Sequence, residues 1–510
     1  MWRQQNISYI VKKGDSLFKI ARFYGITVET LKEYNGLVSD DLYIGQQIFI
    51  PISIYEVKRG DSLYSIAKKF NTIVESLMVL NNLDSEILSI GQILYIPIYT
   101  EAIMKVENGN IRSKPNISSQ VLYKMDKGAK LPIIDVHNDF YEIKLFNGNN
   151  GFVSKTIVDF KTYGDMKPVI AVDGFYTLEE GEDLPSSYES FVTNRNLMSE
   201  ICLFMFRINP NNATTIENFG QFTDEYVEEL VNIAHRNNVR ILAVVHNLLY
   251  RPGGTTKAKD LVKELVSTRE NRQIFINNLI NLIEKYNFDG VNIDIEDVYI
   301  EDRDRLSSLY LEIGRELRKR GYYLSASVPA RVSDEPFNPF SDPFDYKIIG
   351  SAVDEFIVML YNEHGWPGSG PGPGSGPGPV VSIGWMNRVL NYTITRVLRN
   401  KVVAAVSVFG FDFNLTTGTN IYVTYEGAIE IANRYGKDII FDQETQTPMF
   451  SYVDENGNNH EVWFENTESI YAKAELAFNK GIKGIALWRL GMEDKKIWDF
   501  VKKDIVVKMT

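Results

Sequence analysis

The stretch Phe288-Asp289-Gly290-Val291-Asn292-Ile293-Asp294-Ile295-Glu296-Asp297 constrains this chain more than any other. Val291, Ile293 and Ile295 alternate with Asn292, Asp294 and Glu296. A period of two belongs to a β-strand with two unlike faces, here one of branched aliphatics and one of two carboxylates and an amide. Enclosing that polar face costs free energy unless it lines a site. Inside a parallel barrel such a face points inward and ends at the C-terminal mouth, where active sites are built. The pattern therefore predicts a strand running from Gly290 to Glu296, with Glu296 at the mouth. Asp294 would lie behind it on the same face, about 6.6 Å away at roughly 3.3 Å per residue. A sheet edge with solvated acids is the alternative.

The surrounding sequence fits the barrel. Residues 168–510 alternate strand-like and helix-like segments, and eight strand candidates fall between Val169 and Trp488. Eight is the number that closes a (β/α)8 TIM barrel, an α/β fold. Strand-like pieces around 438–464 predict a small insertion between the seventh and eighth strands.

Asp289-x-x-Asn292-x-Asp294-x-Glu296 closely resembles the D-x-x-D-x-D-x-E strand signature of family-18 glycoside hydrolases, the chitinase-like enzymes. Asn292 departs from it, standing where most members carry the middle Asp. The resemblance implies Glu296 as general acid and Asp294 as the group that orients the 2-acetamido N–H of the substrate. That acetamido is the nucleophile in this exceptional family. Asn292 is then expected to hold Asp294 in place. Asp289 breaks the parity and reads as a structural hydrogen-bonder, though it stands with the substrate-contact candidates. Tyr361-Asn362, after Val358-Met359-Leu360, resembles the family's strand-six end, whose tyrosine holds the acetamido oxygen. Trp488 resembles the floor of the −1 sugar subsite. Phe175, Tyr176 and Trp366 could add walls, with core packing an equal reading for the first two. His246-Asn247 and Arg331 end strand candidates without specific chemistry. Glu363 is a competing acid. The motif asks for no metal and no cofactor.

The N-terminal part repeats. Gly14-Asp15-Ser16-Leu17 recurs as Gly60-Asp61-Ser62-Leu63, Asn35 as Asn81, Gly45-Gln46 as Gly91-Gln92 and Ile50-Pro51 as Ile96-Pro97, always 46 residues on. A fixed period means two copies of one small unit. Each copy reads as strand, helix, helix, strand, and an Asp-Ser pair suits a helix N-cap. These units, at 7–52 and 53–98, resemble LysM modules, which bind N-acetylglucosamine-containing glycans. By that resemblance the sugar-contact loops are Gly14 to Leu17 and Gly60 to Leu63. Residues 101–161 read as short strands with turns at Asn108-Gly109 and Asn147-Gly148. They resemble a small all-β bacterial SH3-like domain in which Phe140 and Phe152 replace the usual tryptophans.

A net charge of −12 disfavours nucleic acid as a partner, because phosphate binding needs basic patches. The single cysteine, Cys202, allows no internal disulfide. The first residues lack the charged-then-apolar order of a signal peptide, and no apolar run is long enough to span a membrane. The combination is similar to spore-cortex fragment-lytic N-acetylglucosaminidases and related germination proteins of endospore formers. It implies a peptidoglycan-cleaving enzyme associated with the spore coat, cortex or cell wall after synthesis in the mother cell. A chitinase and a non-catalytic glycan-binding coat protein are the alternatives.

Overall fold

The computed structural model describes residues 7–24, 28–35, 37, 39–50, 54–164, 167–178, 184–250, 253–361, 363–365 and 376–509. Two compact units result. One comprises Met1–Val169, Arg236–Asn238 and Asp504–Lys508; the other comprises Ile170–His235, Val239–Lys503 and Met509–Thr510.

In the first unit the 46-residue repeat has a structural cause. Strand Ile7–Ile10 pairs antiparallel with Gln47–Ile50, and Ile54–Glu56 with Ile93–Tyr95. Between the strands lie helices Leu17–Tyr24 and Val28–Asn35 in the first copy, Leu63–Lys69 and Val74–Leu80 in the second. Each repeated polar residue makes the same bond in both copies. Asp15 Oδ2 accepts from the Lys12 N–H and the Tyr9 hydroxyl, both at 2.7 Å. Asp61 Oδ2 accepts from the Lys58 N–H at 2.7 Å and the Tyr55 hydroxyl at 2.9 Å. Asn35 and Asn81 donate to the carbonyls of Leu31 and Leu77. Gly14 and Gly60 sit at φ +90° and +92°, a region that a side chain disfavours. The two copies share one apolar core, with Tyr24 packed on Phe70 at 6.0 Å.

The following domain is a seven-stranded antiparallel sheet. Strand Gly109–Arg112 starts at the first expected turn, and Val158–Tyr163 closes the domain two residues beyond the expected boundary. Phe140 is buried, and Phe152 packs edge-on against His137 at 5.4 Å.

The second unit is a closed barrel. Its parallel strands, in spatial order, are Val169–Tyr176, Glu200–Asn209, Arg240–His246, Gly290–Asp294, Tyr323–Pro329, Glu355–Met359, Val402–Ser407 and Gly484–Trp488, the last returning to the first. Helices on the outside bury their apolar stripes. In helix Arg303–Arg318 that stripe is Leu306, Leu309, Tyr310, Ile313 and Leu317, spaced three and four apart. Gly290 opens the fourth strand because nothing larger fits: a Cβ there would lie 1.9 Å from the Tyr323 carbonyl oxygen.

Three expectations are corrected here. The fourth strand stops at Asp294 and the sixth at Met359, so Glu296 and Tyr361 stand two residues beyond their strands. The insertion after the seventh strand begins at Gly410, not near 438. It is a five-stranded antiparallel sheet with helix Tyr425–Arg434 on it. The second strand also runs on into a hairpin with Asn212–Asn218.

Candidate active site

The inward face of the fourth strand begins in a polar layer deep in the barrel. Asn292 Nδ2 donates to Ser325 Oγ at 2.9 Å, and its Oδ1 accepts from Ser327 Oγ at 3.0 Å. Ser325 in turn donates to Glu355 at 3.3 Å, and Glu355 is ion-paired with Lys483. The amide thus anchors strand four to strand five. The expectation that it holds Asp294 is corrected: serines of the same inward parity stand beside it and take both ends of the amide. Below lie Asp173, Glu200 and Arg240, with Arg240 stacked 3.9 Å over the Tyr323 ring. Burial pushes the Asp173 and Glu200 carboxyls well up, and the Glu355 carboxylate adds to both. Sequence reading missed this ion cluster, although each of its acids opens or lies within a barrel strand.

At the mouth the candidates form a continuous chain of contacts. The Tyr361 ring stacks on Trp488 at 5.9 Å and 23°. Phe204 meets Trp488 edge-on at 5.1 Å and lies flat on the His246 imidazole at 4.2 Å. His246 and Asp294 are direct neighbours in the ladder between strands three and four. The next residue, Asn247, bonds the Glu296 backbone N–H at 2.9 Å. Asp294 is 3% exposed, whereas Glu296 and Trp488 are half-buried and open to the mouth. Burial holds the His246 imidazole down near 3, with Arg207 adding to the effect, so the ring is neutral at pH 7. Its Nδ1 accepts the Leu248 N–H at 3.1 Å, which leaves the proton on Nε2. The arrangement brings together the stacked rings of Tyr361 and Trp488, the buried Asp294 at the end of strand four and, two residues on, the backbone of Glu296. It suits delivery of a proton beside a ring-shaped, partly apolar ligand.

The match to glycosyl hydrolases family 18 spans residues 176–493, well over half of the chain. The chain belongs to this family. LysM matches cover residues 9–51 and 55–97, and a bacterial SH3 match covers 107–159. A provisionally named sporulation-specific glycosylase, YdhD of Bacillus subtilis (strain 168), is 28% identical over 488 residues, 94% of each chain. The cortical fragment-lytic enzyme of Bacillus anthracis is 28% identical over 283 residues, 55% of this chain and 63% of that one. The crystal structure of the Bacillus cereus spore cortex-lytic enzyme SleL shares the fold, with a TM-score of 0.59 at 24% identity over 99% of both chains. No helix among the described residues is long and apolar enough to cross a membrane.

Around the family-18 barrel mouth, several candidates take other roles. Asp289 is corrected from a substrate contact to a structural one. It lies at the opposite end of strand four, where Oδ2 accepts the Ile241 N–H at 2.8 Å and faces His235 Nε2 at 3.2 Å. Tyr176 points outward against Phe191, and its hydroxyl is paired with that of Tyr226. Phe175 is inward but fully buried, packed edge-on behind Trp488 at 5.2 Å. It supports the indole and forms no open wall. Glu363, the competing acid, is buried and accepts the Ser382 N–H at 2.7 Å, at the start of helix Ile383–Thr393. Arg331 is buried between Glu335 and Asp342. Asn362 and Trp366 lie outside the described residues. Trp385, not anticipated, donates its indole N–H to the Leu360 carbonyl at 3.0 Å and so fixes the chain just before Tyr361.

In the LysM modules, Leu17 and Leu63 are core residues, which corrects their place among sugar contacts. Asp15 and Asp61 are committed to their own turns, Ser62 forms a capping box with Ser65, and Ser16 accepts the Lys19 N–H at 3.2 Å. Exposed instead are Phe18 and Tyr64, and Ile44 and Ile90, each pair 46 apart. The repeat could have revealed them had the apolar positions been compared as well as the anchors. Among the described residues, Asp135, His137 and Glu142 on the SH3-like sheet bring possible cation-ligand atoms within 4.8 Å of one another, on a largely open surface.

Asp297 follows the acid candidate and is buried, which pushes its carboxyl from 3.8 up to about 6, with Lys259 opposing the shift. The folded chain therefore holds this proton more tightly than the unfolded chain. The stabilising contribution is complete below the ordinary value and is lost as pH rises through about 6. Asp297→Asn, which carries no charge to bury, is expected to raise the melting temperature at pH 7–8 and to leave it unchanged near pH 3.5. Thermal melts of both proteins across that range check this; a difference independent of pH would contradict it.

Proposed function

We propose that the chain hydrolyses the β-1,4 bond on the reducing side of N-acetylglucosamine in peptidoglycan, with retention of configuration and with the substrate's acetamido group as nucleophile. Glu296 protonates the glycosidic oxygen as the bond to the anomeric carbon breaks. The acetamido oxygen closes onto that carbon to give an oxazolinium ion. Asp294 accepts the acetamido N–H and offsets the positive charge, and the Tyr361 hydroxyl donates to the acetamido oxygen. Trp488 supplies the floor under the sugar. Water, deprotonated by the Glu296 carboxylate, then opens the ring and restores the acid.

The observation that carries this reading is the unbroken contact chain from Tyr361 through Trp488, Phe204 and His246 to Asp294, with Asn247 linking on to Glu296. It supports reading these four residues as parts of one site. Peptidoglycan is favoured over chitin by relatives named for sporulation and cortical fragments. Two linked glycan-binding modules raise the local concentration of an insoluble polymer without touching the barrel.

Parallel digestion of purified wall, cortex fragments and chitin, with mass spectrometry of the new ends, tests the assignment. New reducing N-acetylglucosamine ends from the peptidoglycan samples are expected. Reducing muramic ends, or cleavage confined to chitin, would overturn it.

A further inference from the structure

We propose that Asn247 is a positioning residue that sets the backbone carrying Glu296; this rests on the reading of Glu296 as the acid. The ladder between strands three and four has its last register pair at His246 and Asp294. The acid comes two residues later, outside the strand. At that point the Asn247 side chain takes over. Its Oδ1 accepts the Glu296 N–H at 2.9 Å, and its Nδ2 donates to the Asp297 carbonyl at 3.0 Å. A carboxamide has the same donor and acceptor as a peptide unit, so Asn247 imitates one further rung of the ladder. The side chain is fully buried, where bonds are not exchanged with water.

The clamp is itself held. His246 accepts the Leu248 N–H, which closes the turn around Asn247. The imidazole is fixed flat on Phe204 and edge-on to Phe219 at 4.7 Å. Few other residues could serve. Aspartate keeps the acceptor but sets an oxygen against the Asp297 carbonyl. Glutamine is one methylene too long, and leucine offers neither group.

Misplacing a catalytic group by about 1 Å can cost about 100-fold in rate. A general acid matters most when the leaving group is a poor one, so its misplacement has a signature that plain destabilisation lacks. The full-length chain would be assayed on aryl β-glycosides of N-acetylglucosamine disaccharide, with phenols of graded acidity. Asn247→Ala is expected to lower kcat/KM, which reports the acid-assisted first step and not the base-assisted second, about 10- to 100-fold on the weakly acidic phenols and hardly at all on dinitrophenol. Asn247→Asp, which keeps the bond to the Glu296 N–H, should fall between wild type and Asn247→Ala with the same grading, and it serves should the alanine variant not fold. Glu296→Gln is run beside them. If it shows the grading in kcat/KM and both Asn247 variants lose kcat/KM equally on every phenol, the positioning role is overturned. If Glu296→Gln itself shows no grading, the acid assignment beneath it falls.

Discussion

Glu296→Gln is expected to fold normally and to lose most turnover on natural polymer. A positioned general acid contributes about 10²–10⁴-fold, and an amide of the same shape donates no labile proton to a departing oxygen. The change should be selective, because Glu296 is half-buried at the mouth and its backbone bond to Asn247 does not involve the carboxylate. Binding to insoluble wall should be unchanged, since the LysM modules are untouched. The measurement is kcat on cortex fragments, with circular dichroism and a pelleting assay as controls. Near-normal kcat in a folded, wall-binding variant would move the acid elsewhere. Glu363, the other candidate, is buried and accepts the Ser382 N–H.

Removing the N-acetyl group from the −1 sugar should abolish cleavage with the enzyme itself unaltered. In the proposed mechanism that group is the nucleophile, and Asp294 and Tyr361 are there to hold it. A well-placed intramolecular nucleophile can supply about 7–11 kcal/mol of the barrier reduction. Asp294 is 3% exposed and Tyr361 is stacked on Trp488. Chemically de-N-acetylated peptidoglycan, compared with the same sample after re-acetylation, checks this. Recovery of cleavage on re-acetylation is expected, and brisk cleavage of the free-amine polymer would contradict the roles given to both side chains.

Much of this was legible in the sequence because two periodicities are hard to disguise. Alternation in Val291 to Glu296 identified a strand with one polar face, and the 46-residue offset identified two copies of one module. Periodicity does not mark where a strand stops. Ile295 and Glu296 continue the alternation, yet the ladder ends at Asp294 and the Asn247 side chain takes the next rung. Asp289 and Asn292 belong to the motif but bond away from the mouth, since motif spacing does not reveal what stands on the neighbouring strand. For Asn292 that neighbour is a pair of serines. The insertion was read too short because Gly410–Asn414 follows the seventh strand almost directly and looks like its continuation. In the LysM loops, the repeated Gly-Asp-Ser-Leu proved to be the scaffold of the turn, with Leu17 and Leu63 inside the core.

The central claim is that the substrate's own acetamido group attacks, with Glu296 as acid and then as base. The anomeric configuration of the first-formed product tests it most directly, because two displacements at one carbon restore the original geometry and a single displacement by water does not. Proton NMR of a soluble β-linked N-acetylglucosamine oligomer, recorded in the first minutes before mutarotation, should show the β-anomer of the new reducing end. Initial appearance of the α-anomer would contradict the mechanism and the roles assigned to Asp294 and Tyr361.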